Sequence, residues 1–168
     1  MNSVTLGAIG LSVVITGAVF PRQEAAAQTA KDIAGTYTLV ASTLDEGGKK
    51  SDLYGPNPKG MLILANDGRY TIVLLRSDLP KFASNNRTTG TADENKAVVA
   101  GTLAHYGTYR VEDGGKSLVL RTEGSTFPNW NGVEQKRALT VTGDELRYTT
   151  PMASTGTGSA ETVWKRAK

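Results

Sequence analysis

The sequence has 168 residues, with 19 Lys and Arg against 16 Asp and Glu for a formal charge of +3, a size that fits one domain with one continuous core. It has no cysteine and a single histidine, His105, which excludes disulfides, thiolate zinc sites, a cysteine nucleophile, a lipid-modified cysteine and a histidine-rich metal centre. The basic residues never concentrate beyond Lys49-Lys50, Lys136-Arg137 and Lys165-Arg166. That is no basic stripe for nucleic acid, and the mild surplus reads as solubility.

Val4 to Phe20 is almost wholly apolar, and Ala25-Ala26-Ala27-Gln28 follows it closely. Small residues at Ala25 and Ala27 form the A-x-A pattern of a signal-peptidase site. The expectation is a leader over 1–27, cleavage before Gln28, and an exported domain over 28–168, periplasmic or secreted. The apolar stretch is short and rich in Gly and Thr for a retained anchor, which wants ~20 strongly apolar residues. No second run of that length follows, so no integral membrane segment is expected after cleavage.

From Ile33 onward the chain reads as short strands between turn signals. Thr36 to Val40 is β-branched and aromatic. Met61 to Ala65, the turn Asn66-Asp67-Gly68 and the return strand Arg69 to Arg76 form the clearest hairpin. Ser77 to Gly90, with Pro80, Asn85 and Asn86, reads as a long surface loop. Thr91-Ala92-Asp93-Glu94 is a capping box, and Ala97, Ala100, Leu103 and Ala104 then share a helical face. The spacing predicts a helix from Ala92 to about Ala104, packed on the wall or across an end. Tyr106 to Glu112 and Ser117 to Glu123 pair across Asp113-Gly114-Gly115. After a loop carrying Phe127 and Trp130 come Gln135 to Thr142, Glu145 to Thr150 and Thr162 to Arg166.

Eight strands with short connections and one short helix predict an all-β fold, an eight-stranded antiparallel up-and-down barrel. Gly35-Thr36-Tyr37 opens the first strand and Trp164-Lys165-Arg166 ends the last. Between them lie Tyr54-Gly55-Pro56-Asn57-Pro58-Lys59-Gly60, Asn66-Asp67-Gly68-Arg69-Tyr70, Tyr106-Gly107-Thr108-Tyr109 and Phe127-Pro128-Asn129-Trp130-Asn131-Gly132. In these segments, their order and spacing, the chain resembles the bacterial and fungal lipocalin-like domain family from about Ile33 to Arg166. Tyr37 stands where lipocalins usually carry Trp. The resemblance implies a calycin-type barrel with an apolar interior, and no settled activity.

His105 is the side chain whose normal pKa lies near neutrality. It reads either as a general base or as a rim histidine satisfied by backbone. Arg121 and Glu123 share a strand face opposite Leu118, Leu120 and Thr122, which favours a solvent-facing pair over a charged interior patch. Arg137 alternates with Leu139 and Val141, so inward and outward placements stay open. Tyr70, Tyr106, Tyr109, Phe127 and Trp130 are candidate pocket aromatics, alongside Arg137, with core packing as the plainer reading and a barrel plug as the plainer one for Trp130. Tyr37, Trp164 and Arg166 read as a structural stack at the closed end, through a cation–π contact. Gly156-Thr157-Gly158 lacks the Lys and helix of a phosphate loop, no Gly-x-Ser-x-Gly elbow occurs, and no cofactor or metal is expected.

The leading expectation is a binding module holding a small, largely apolar molecule. The alternative is a small isomerase, cyclase or hydratase using His105 with Arg137, Arg121 or Glu123 for acid–base and electrostatic work. A filled barrel with a structural role is the third reading.

Overall fold

Apolar side chains recur at a two-residue period along most of the chain, and strands so patterned turn one face inward. A computed structural model describes residues 28–168; the predicted leader over 1–27 lies outside the described residues. A helical turn, α1 (Ala30–Ile33), precedes β1 (Gly35–Glu46), β2 (Lys49–Asp52), β3 (Lys59–Leu64) and β4 (Arg69–Leu75). Helix α2 (Ala92–Gly101) leads into β5 (Thr102–Glu112), followed by β6 (Ser117–Ser125), β7 (Glu134–Thr142), β8 (Glu145–Thr150) and β9 (Ser159–Arg166). All pairings are antiparallel between neighbours from β3 to β9, β1 pairs β3, and β9 returns to pair β1, closing an eight-strand ring.

The first strand is longer than its apolar signal. Gly35–Thr38 pairs with β3, whereas Thr43–Glu46 pairs with β2 in a further hairpin. β2 reads Lys-Lys-Ser-Asp and is exposed throughout, so no hydrophobic alternation announced it. A bulge between Leu39 and Ala41 throws Val40 outward and resets the inward set to Ser42 and Leu44.

The capping box at the start of α2 forms: Thr91 Oγ1 accepts from Glu94 N at 3.2 Å, and Thr91 N donates to Glu94 Oε2 at 2.8 Å. Glu94 Oε1 also accepts from Ala83 N at 2.8 Å, pinning the irregular 77–90 loop. The helix ends at Gly101, not near Ala104. Thr102 and Leu103 pair with Leu75 and Leu74, so sheet hydrogen bonds claim them, and Leu103 turns into the barrel. No helix among the described residues is long and apolar enough to cross a membrane.

One end of the ring is shut. Ile33 on α1 packs with Tyr37, Leu64, Tyr109, Leu118, Leu139, Leu146 and Trp164 in one buried cluster. Tyr37 donates to Ile33 O at 2.7 Å, and Tyr109 donates to Ala65 O at 2.9 Å and Ala30 O at 3.2 Å. The Arg166 guanidinium lies 4.8 Å from the Tyr37 ring centroid and donates to Ala34 O at 2.7 Å and Asp32 O at 3.0 Å. The stack read at Tyr37 and Arg166 thus also holds the helical turn that plugs the end. Arg166→Ala removes the cation–π contact and two charge-assisted hydrogen bonds, and is expected to cost about 2 kcal/mol in urea unfolding. The exposed neighbour control, Lys165→Ala, should stay within about 0.5 kcal/mol of wild type.

Candidate ligand site in the barrel lumen

The lumen changes character along its axis. Toward the open end the inward positions become Tyr70 and Leu74 on β4, Leu103 and His105 on β5, Thr122 on β6, Arg137 on β7, Tyr148 and Thr150 on β8, Thr162 on β9 and Ser42 on β1. The apolar interior that the family resemblance implied therefore holds for the closed end and fails for this upper layer.

Arg137 faces inward and is 2% exposed. Its guanidinium carbon lies 4.8 Å from the Tyr148 ring centroid and 5.7 Å from that of Trp130. Nη2 donates to Gln135 Oε1 at 2.7 Å, while Nε is buried without an acceptor. The ion pairs among the described residues lie on the surface, and none includes Arg137. A buried unpaired charge costs on the order of several kcal/mol, which two ring faces worth about 0.5–2 kcal/mol each offset only in part.

His105 is 2% exposed and inside the barrel, not a rim histidine held by backbone. Its Nδ1 lies 2.9 Å from the Tyr70 hydroxyl, which is 3.1 Å from Thr122 Oγ1. The ring meets Tyr70 and Trp130 edge to face, both at 5.4 Å between centroids. Burial, helped by the positive Arg137, pushes the imidazole pKa down to about 3. The neutral ring carries a single proton, and its Nδ1 and the Tyr70 hydroxyl share one hydrogen bond in either tautomer. Burial also raises the Tyr70 pKa, keeping that hydroxyl protonated.

Trp130 enters from the turn Pro128–Trp130, with Phe127 edge-on at 5.7 Å. Below it lies a cavity of about 20 Å³, counted as space open to the centre of a water molecule, enough for about one water. Ser42, Tyr54, His105, Trp130, Arg137, Tyr148, Thr150 and Thr162 supply its polar lining, which contains one cation and no carboxylate. Leu53, Tyr54, Leu103 and Ser154 separate it from a vestibule of about 340 Å³ on the same measure, walled by Val99, Ala100 and Phe127.

Of the residues singled out in the sequence, the structure brings together Tyr70, His105, Trp130 and Arg137, with Phe127 at the mouth. Tyr106 is 49% exposed and lies on the outside of the wall, where its ring covers Gly124. Tyr109 is spent in the closed end. Arg121 and Glu123 point to solvent, Glu123 pairing with Arg69 at 2.8 Å, and neither reaches the lumen. Sequence reasoning missed Ser42, Tyr54, Tyr148, Thr150 and Thr162. The two-residue period would have found Tyr148 and Thr150 from Leu146, and Thr162 from Trp164.

The depressed His105 pKa has a stability consequence. The unfolded chain takes up a proton below about pH 6.5, while the folded chain, with Arg137 and Tyr70 facing the ring, resists until about pH 3. The contribution is fully present above pH 6.5 and is lost as pH falls toward 3, at up to about 1.4 kcal/mol per pH unit. His105→Asn should flatten the stability profile between pH 4 and 6 relative to wild type, measured by urea unfolding. Equal slopes would place the ring's protonation elsewhere.

A family model described as a lipocalin-like domain matches residues 34–167, which covers every strand from Gly35 to Arg166. No curated protein matches the sequence. With the closed ring and the matched span together, the chain belongs to the lipocalin-like domain family.

Proposed function

We propose that this protein is exported and that its barrel holds one small molecule with a largely apolar body, reached through the open end. One observation carries the reading. The closed end is packed solid with apolar side chains, whereas the upper lumen is lined by polar groups around a cavity that adjoins a larger vestibule. A barrel that only needed to be stable gains nothing from a buried arginine there, since an apolar residue of similar volume is often the more stabilising choice. Pockets for small ligands combine apolar walls with a few placed polar groups, which is the composition found here.

The space below Trp130 admits about a water, so the occupant lies mainly in the vestibule and displaces Trp130 or Leu53 as it reaches downward. Holding is favoured over acid–base turnover, because a histidine with a pKa near 3 is a hydrogen-bonding group and a poor proton acceptor at neutral pH. Export is supported by the A-x-A sequence before Gln28.

Native mass spectrometry of the protein gently isolated from its host envelope is expected to show a bound small molecule, and N-terminal sequencing to begin at Gln28. The chain has two tryptophans, and Trp164 is sealed in the closed end. Binding should therefore shift the emission of Trp130, and Trp130→Phe should abolish that shift. A bare protein whose emission is unmoved by host lipid extract would defeat the binding reading.

A further inference from the structure

We propose that the occupant is an anion, specifically a monocarboxylate, whose head is taken by Arg137 while its apolar body lies in the vestibule. This rests on the lumen being a binding site, and it names the chemistry of what binds.

The argument begins with charge. Arg137 is 2% exposed, has a donor atom with no acceptor, and shares its cavity with no carboxylate. A guanidinium is a permanent cation. The His105 beside it does the reverse, remaining neutral and thereby avoiding a second positive charge. The groups facing the cavity include the Arg137 guanidinium, which can only donate, and the hydroxyls of Tyr54, Tyr148 and Thr150, which donate as well as accept. What the lining lacks is a negative charge, and an anion supplies it.

Shape selects the class. The guanidinium is planar, lies 4.8 Å from the Tyr148 ring centroid, and donates to Gln135 through Nη2 alone. A planar guanidinium matches a planar carboxylate, which it can bind through two parallel hydrogen bonds. Leu53, Leu103, Val99 and Phe127 line the route from that head position outward, which suits an apolar body. A cation would meet the unpaired arginine head-on.

The test is calorimetric titration of the intact protein with three probes sharing one tail: decanoate, 1-decanol and decyltrimethylammonium. Decanoate is expected to bind at least tenfold more tightly than decanol, and the cation to give no binding heat. In Arg137→Gln, decanoate should weaken to the level of decanol, with decanol itself changed less than twofold. Arg137→Lys keeps the charge and loses the fork, and should bind decanoate more weakly than wild type while still preferring it to decanol. Equal affinities for decanoate and decanol in the wild type, a comparison that depends on no variant folding, would overturn the carboxylate assignment and leave the small-molecule reading intact. An undiminished preference in Arg137→Gln would do the same. Failure of all three probes to bind would overturn both.

Discussion

The pairing of β9 with β1, from Tyr37 opposite Arg166 to Asp45 opposite Ser159, turns an open sheet into a ring, and the rest of the molecule depends on it. It gives every inward side chain a common interior and leaves the ring no free edge, which is how antiparallel barrels escape edge-to-edge association. It also juxtaposes the two chain ends of the domain. Arg166, from the last strand, reaches the carbonyls of Asp32 and Ala34 and the ring of Tyr37, so the strand that closes the ring also holds the plug at its end.

Within that ring, burial costs are distributed unevenly. The closed end takes large apolar residues and two tyrosines whose hydroxyls find backbone carbonyls, so it buries no unpaired charge. The upper lumen concentrates the liabilities: a guanidinium facing two rings, an imidazole kept neutral by burial, and several hydroxyls. Such groups cost stability in a core unless hydrogen bonds or charge partners satisfy them. The surface handles charge in the opposite way, through exposed networks such as Arg110 with Glu112 and Glu134, each pair worth little.

The barrel was legible because strand alternation and Gly-containing turns are local signals that agree with the global topology. Tyr148 and Thr162 fell within strands whose register was readable. Ser42 did not, because the bulge at Val40 inverts the parity counted from Tyr37 and Leu39, and a bulge has no signature in apolar spacing. β2 was invisible because it buries nothing. The helix was read too long at its end, since Leu103 fits a helical face and an inward strand position equally well, and only pairing with Leu74 decides between them. Arg137 could not be placed from the sequence. Its alternation with Leu139 pointed inward while its charge pointed outward, and the facing Tyr148 and Trp130 rings that resolve the conflict come from another strand and a loop.

The axial separation of the interior bears on how such a protein can diverge. Residues that hold the ring shut belong to the closed end and to strand pairing. Those that would sense an occupant, Leu53, Leu74, Leu103, Thr150 and Ala153 among them, sit near strand ends and in connections at the other end. Drift at one end need not be compensated at the other, because well-separated sites contribute nearly independently to stability. Descendants of this scaffold are thus free to vary the lining of the open end while inheriting the same foundation.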